Sequence, residues 1–514
     1  MRRPLFTVGT TMLFTLFILC QVESLCLAVI CCGLFGVLFI SYLFFANKYR
    51  TLLLPTVFLS VAVSCFLFAT FEYFVYMPYA SLDGVTKEAS FTLTEYPTYN
   101  DGRYYCMSEY RDVTGKGYKV RLSLPSVSEA DYGYEEKILS AQPGDELIFN
   151  SYIYTPGGEN KSIKQSFKSK GVYLCAYPQG EIELKRNERI RLTDFLKREK
   201  KRTVNLLLSR FDSETASVGT SLLMGDKNLL DNGTYEAVKR SGVAHLLAVS
   251  GLHLSVWIML IMKVIENTGL NRRKWAILLL LFDFLVMFFA AFSGSVVRAG
   301  VMMAVYLTGI ILKESSDSLN SLGFSAVLLL VLNPYSAMNV SFLLSFTACY
   351  SIITVAASVI SAAERKTARY LFTNPFLKPL LLVITAVVIT VTVSVYTLPV
   401  MTYYFGSISL VAVITNILLI PVSTPVIVSF GLYVMLWFMP VLSDFLCALS
   451  FVFTRYLLFC VRLTGETSWA VINANTDSIA LFLTFSVLLF SAPYLCEYAK
   501  DKIQIKKLFR ENEA

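Results

Sequence analysis

Charge is what this sequence has least of. Only 16% of its 514 residues are Asp, Glu, Lys or Arg, against roughly 25% in a soluble domain. Hydrophobic residues make up 55%, and the mean hydropathy is +0.58. That balance excludes a soluble enzyme of this length. Histidine is scarcer still, with His245 and His253 the only two. A hydrolase that holds two metals in a His-rich cluster cannot be built from them, so no metal set and no cofactor is expected. A G-x-x-x-x-G-K-[ST] loop is also missing. Its nearest approach, Gly219 to Lys227, has the wrong spacing and no Gly-Lys pair, which argues against an ATP-driven motor.

What is abundant is apolar sequence in runs of about 20 residues, long enough to cross a bilayer as helix. Three open the chain, near 5–22, 24–46 and 51–77. The first follows Arg2-Arg3 but is no signal peptide, because no A-x-A-like site follows and the second run begins almost at once. The turn at 21–24 has no Lys or Arg, and the turn at 47–50 has two. The positive-inside rule then places the N-terminus in the cytoplasm and residues 79–195 outside. A second block carries runs near 243–264, 275–292, 296–312, 319–332, 340–360, 379–398, 422–439, 443–461 and 478–496. Run 400–421, broken by Gly406 and ended by Pro421, reads as re-entrant or as a short hairpin. The basic tail returns to the cytoplasm. The fold class is thus a polytopic α-helical membrane protein of about 12 spans, with possible re-entrant segments and one small extracytoplasmic β-barrel. Its expected organisation is 1–78 (three spans), 79–195 (β domain), 196–213 (amphipathic interfacial linker), 214–498 (main helical block) and 499–514 (basic tail).

Residues 79–195 read as strands near 89–96, 103–112, 117–124, 145–154 and 171–177, with turn signals at Asn100-Asp101-Gly102 and Thr114–Gly117. Five strands in this length suit a small barrel. Cys106 and Cys175 lie on two of them. A disulfide between them is expected outside the cell, two separate buried thiols being the alternative. The segment carries a net charge of −2 within a chain total of +8, so nucleic-acid binding there needs a local patch. Tyr104, Tyr105, Tyr118, Tyr152 and Tyr154, with Lys161, Lys164, Lys168 and Lys170, could supply stacking and charge for a single strand. A tyrosine-rich core beside a solvated lysine loop is the plainer reading.

Polar groups inside apolar runs are costly and mark candidate sites. The densest group is Ser241–Leu254, which holds both histidines with Ser250-Gly251 between them. Broken backbone survives at membrane depth only where protein or water satisfies it. A candidate translocation path therefore comprises His245, Ser250, Gly251, His253, Ser295, Arg298, Asn333 and Asn416. Arg298 could pair with Asp283 on the preceding span or face an aqueous path that suits a phosphate.

These stretches resemble the ComEC family of competence proteins. The resemblance rests on VAHLLAVSGLHLSV (243–256) preceded by LLMGDKNLL (222–230). SGSVVRAGVMM (293–303), NP…SFLLSFTA (333–348) and TYYFGSISLVAVITNILLIPVSTPV (402–426) follow in order. It implies an OB-like outer domain and a channel in the bacterial cytoplasmic membrane that passes single-stranded DNA inward during natural transformation. Its implied partners are single-stranded DNA, membrane lipid, an external ATP-driven motor, DNA receptor proteins and a separate nuclease, with homo-oligomers possible. Many members carry a metallo-β-lactamase-like nuclease domain, which the two histidines here cannot build, so no enzymatic activity is expected. Two other classes stay open. A small-solute transporter would use similar broken helices. An intramembrane serine hydrolase would use Ser250 and His253, but no G-x-S-x-G elbow is present.

Overall fold

The apolar runs become helices, and the polar stretch after the third run becomes a barrel. The computed structural model describes residues 3–45, 53–100, 102–111, 117–125, 132–158, 160–187, 191–247, 251–266, 271–289, 294–371, 377–474 and 478–493. Helices α1 (Pro4–Val22), α2 (Leu25–Phe45) and α3 (Leu53–Phe71) come first. A π-turn (Glu72–Tyr76) and α4 (Met77–Ala80) extend α3. The polar stretch holds β1 (Val85–Leu93), β2 (Thr98–Asn100), β3 (Arg103–Arg111), β4 (Gly117–Pro125), α5 (Tyr132–Ser140), β5 (Glu146–Tyr154), α6 (Lys161–Ser169), β6 (Leu174–Pro178) and β7 (Glu183–Lys185). Next come α7 (Leu192–Arg210), α8 (Ser213–Met224), α9 (Asn232–Arg240), α10 (Gly251–Glu266), α11 (Arg272–Phe289), α12 (Gly294–Leu312) and α13 (Ser318–Leu332). After a 3-10 turn (Pro334–Met338) the chain forms α14 (Val340–Ser351), a second π-turn (Ile352–Ala356), α15 (Ala357–Leu371), α16 (Leu377–Tyr404), β8 (Ser407–Ser409), α17 (Ala412–Leu436), α18 (Pro440–Gly465), β9 (Val471–Asn473) and α19 (Ile479–Pro493).

Among the described residues, seven helical segments are long and apolar enough to cross a membrane: Pro4–Val22, Leu25–Tyr42, Leu53–Ala80, Val340–Arg365, Val383–Tyr404, Ala412–Leu436 and Pro440–Gly465. Four shorter apolar helices join them, within α10, α12, α13 and α19. Every one of the expected runs overlaps one of these or α11. The protein is polytopic, helical and membrane-embedded, with one small barrel. One detail differs. Gly406 does break the chain, with φ at +61°, but Pro421 does not end a segment, because α17 runs through both Pro421 and Pro425. Helices in a bilayer tolerate proline where neighbours and hydroxyls compensate the lost backbone bonds.

The chain divides into two units, Met1–Arg210 with Met262–Asn339, and Phe211–Ile261 with Val340–Ala514. In the first unit, β1, β3, β4, β6 and β5 lie side by side in that order, and β5 pairs again with β1. The ring therefore closes and leaves no edge among these five strands. Only β4 and β6 run parallel; the other pairings are antiparallel. Alternation along the strands gives the ring its apolar interior, since the inward residues of β3 and β4 are buried. Phe91, Leu93, Val120, Leu122, Leu147, Ile153 and Leu174 fill the interior, and Ile138 from α5 and Ala141 just after it plug it. The strand order and the plugging helix are OB-like. In the same unit α1 and α13 touch at glycine. A Cβ on Gly323 would lie 2.4 Å from Phe6 Cα, the close approach that small residues permit between membrane helices.

The second unit packs α8, α17 and α18. All residues from Thr215 to Leu222 are buried. Gly219 meets the Phe430 ring, and Gly431 meets Trp257.

Candidate functional site

Two tyrosines adjacent on a strand must face opposite sides of the sheet. Tyr104 points into the barrel core and donates from its hydroxyl to Glu135 Oε1 at 2.8 Å. Tyr118 is also a core residue. Neither is available to a ligand, which corrects the expectation for Tyr104. Tyr105 points outward, and the Arg121 guanidinium lies 4.3 Å from its ring centroid and 5.2 Å from that of Phe167 on α6. Across the wall, Met107 sits opposite Arg121, Arg121 opposite Cys175, and Cys175 opposite Tyr154. Tyr152, Tyr154 and Tyr177 form a triangle on this face, with centroid separations of 5.3, 5.9 and 6.2 Å. The outer wall over β3, β4, β6 and β5 thus carries four half-buried or exposed tyrosines around one arginine. Residue order alone missed Arg121, Tyr177 and Phe167. Strand parity was the available signal, since Tyr105, Arg121, Tyr177 and Tyr154 all occupy outward positions.

The same register overturns the expected disulfide. Cys106 is opposite Leu122, which is opposite Ala176, and all three face the core. Cys175 pairs with Arg121 and Tyr154 on the outer face, and both cysteines are free buried thiols. They lie two strands apart on opposite sides of the wall, beyond the span of a disulfide. Burial pushes the Cys175 thiol up to about 11 and raises Cys106 further, so neither is a ready nucleophile.

The four lysines also separate. Lys161 donates to the Gln21 carbonyl. Lys168, only 3% exposed, is withdrawn from any outer ligand. Its Nζ lies 3.3 Å from Glu23 Oε1, 3.8 Å from Glu72 Oε1 and 2.9 Å from the Tyr335 hydroxyl. It also lies 3.8 Å from the Tyr76 ring centroid. Burial lowers the pKa of its ammonium, and the two carboxylates oppose that effect. Lys164 and Lys170 remain half-buried and exposed, respectively.

The residues expected to line a path fall in both units. In the second unit, His253 is buried near the start of α10, which begins at Gly251. His245 is exposed in the turn that follows α9. Ser250 lies outside the described residues, and so does the Ser295 side chain. Asn416 is half-buried on α17. Arg240 donates to the Thr467 carbonyl at 2.9 Å and accepts at its own carbonyl from Ser409 Oγ. Arg455 holds Asp212 and Glu214 at 2.9 Å each, and Arg462 also reaches Glu214. Arg455 and Arg462 line an open cleft of about 480 Å³ with Leu458, Phe459, Glu466 and Thr467. Sequence reading missed this network, because Asp212 and Arg455 lie far apart in the chain.

In the first unit, Asp283 and Arg298 are both buried, on the neighbouring helices α11 and α12. Asp283 Oδ1 has no hydrogen-bond partner among the described residues. Asn333 has a packing role. Its Oδ1 accepts from Tyr335 N at 3.0 Å and its Nδ2 donates to the Lys168 carbonyl at 3.1 Å.

A block of apolar helices, glycine-mediated helix contacts and an OB-like barrel define a multi-pass membrane protein with a small β module. The family described as Competence protein matches residues 222–497. That is more than half of the chain, and the chain belongs to this family. It is also 24% identical over 276 residues to ComE operon protein 3 of Bacillus subtilis (strain 168), a match covering 54% of this chain and 31% of that protein. The chain thus matches under a third of the length of that relative. No solved structure matches.

Proposed function

We propose that this protein passes single-stranded DNA across the bacterial cytoplasmic membrane during natural transformation. In this reading both termini are cytoplasmic and the barrel lies outside. The observation that carries it is the competence-family match over 222–497, which coincides with the helical block from α8 to α19.

The barrel supports the reading from the other end. Its outward tyrosines and Arg121 offer π-faces and one fixed positive charge, the chemistry that binds single strands without reading sequence. In the second unit, His253, His245 and Asn416 are the groups proposed to line the path, together with the cleft arginines. A motor that supplies the driving force and a nuclease that degrades the other strand are proposed as its partners.

The decisive test is deletion of the gene followed by a DNA-uptake assay that scores surface-bound and internalised DNA separately. Retained surface binding with lost import is expected. Normal transformation, in a host shown to hold no second copy, would overturn the proposal.

A further inference from the structure

Helix α6 has two faces with different occupants. On one, Phe167 lies against Arg121, the arginine of the outward aromatic wall. On the other, the next residue, Lys168, enters a buried polar knot made by the membrane-side elements of the same unit. Glu23 comes from the end of α1, where the backbone turns left-handed at φ +52°. Glu72 and Tyr76 come from the π-turn that prolongs α3. A π-turn inside a helix re-aims side chains and recurs at functional positions. Tyr335 comes from the 3-10 turn after α13, and it also donates to Glu72.

Three further bonds tie α6 to the same elements. Gln165 Nε2 donates to the Cys20 carbonyl at 3.0 Å, Lys161 donates to the Gln21 carbonyl, and Asn333 donates to the Lys168 carbonyl. Asn160 starts the helix by accepting from Ile163 N at 3.2 Å. A solvated lysine loop has no need of these features. A buried ammonium is tolerated only when paired and hydrogen-bonded, and here two carboxylates, a hydroxyl and an aromatic face surround it.

We infer that α6 is the joint that sets the barrel's aromatic wall against the outer ends of α1, α3 and the 3-10 turn, with Lys168 as its positioning residue. The structural part stands on the contacts alone. The consequence for DNA import rests on the function proposed above. Buried ion pairs are often no more stabilising than an apolar replacement, but in some proteins they specify one arrangement among several, and that is the part assigned to Lys168 here. The joint therefore fixes where a bound strand is presented, not how tightly it is held.

The test compares full-length wild type with Lys168→Met and Lys168→Arg. Three measurements are made: hydrogen–deuterium exchange in lipid nanodiscs, binding of a labelled oligothymidylate, and DNA import in cells. For Lys168→Met, amide exchange in 161–169 should rise at least 10-fold while the barrel strands keep their protection. Oligonucleotide affinity should stay within 2-fold, and import should fall at least 10-fold. Lys168→Arg should restore part of the import, because it keeps the charge.

Unchanged exchange in 161–169 would overturn the joint. Unchanged import despite a loosened α6 would overturn its role in presentation. If Lys168→Met also unprotects the strands, the triple variant Lys168→Met/Glu23→Gln/Glu72→Gln, which removes the buried charges together, decides. Strand protection with a loose α6 then supports the joint, and wild-type exchange in α6 overturns it. Should the wild-type chain neither bind the oligonucleotide nor import DNA, the functional proposal falls while the exchange result still decides the joint.

Discussion

Parity along a strand sorts the barrel's residues more sharply than their chemistry does. Tyr104 and Tyr105 are neighbours of one type, yet one fills the core and the other stacks under Arg121. Their variants should behave differently. Tyr154→Ala should weaken binding of single-stranded DNA by about 10-fold, in the range of about 1–3 kcal/mol seen for base–aromatic stacking, and leave the melting temperature nearly unchanged. Tyr104→Ala should instead destabilise the barrel, because it opens a cavity and leaves Glu135 without its donor. Fluorescence anisotropy and thermal melts on the same samples check both. The lysines carry the same lesson. Lys161, Lys164, Lys168 and Lys170 looked alike in the sequence, and nothing local marked Lys168 for burial. Its partners Glu23, Glu72 and Tyr335 lie up to 167 residues away, and only the fold brings them together.

At the level of elements, the sequence was most legible where one period ran unbroken. The strands expected at 103–112, 117–124 and 145–154 appear as β3, β4 and β5 within a residue or two, because inward and outward positions alternate cleanly. Helices were legible as apolar runs, but their ends were not. In the run expected at 243–264, residues 243–247 form turns and not helix, and the stop expected at Pro421 was overridden within α17. Helix–helix contacts were not legible at all. The Gly9–Gly323 approach joins α1 and α13, more than 300 residues apart, with a Cβ on Gly9 falling 2.5 Å from the Gly323 carbonyl oxygen. Gly323→Val should force these helices apart at a cost of about 1–3 kcal/mol, the usual range for overpacking. A lowered aggregation temperature in detergent would register it, while Gly36→Val on α2, where no heavy atom lies within 4 Å of the added Cβ, should leave that temperature unchanged.

Across the whole molecule, charge and closure matter most. The segment 79–195 carries a net charge of −2 although the chain is at +8, so a broad field does not draw a polyanion to the barrel. Attraction must come from a few local cations, with Arg121 on the wall itself and Lys164 and Lys170 in and after α6 as the proposed supply. Three phosphate contacts predict a slope of about −2 for log K against log salt, from roughly −0.7 per contact on single strands. A slope steeper than about −4 in an anisotropy titration would mean a wider basic surface than this one. Closure has a different consequence. The five strands form a ring in which β1 meets β5 over eight residue pairs, while Cys106 and Cys175 stand back to back across the wall as thiols. The barrel's integrity is therefore independent of redox conditions. Its melting temperature should not move when dithiothreitol is added, and it should reach its native form without a thiol oxidase. A module held by strand pairing and packing can then work equally well in aerobic and in reducing surroundings.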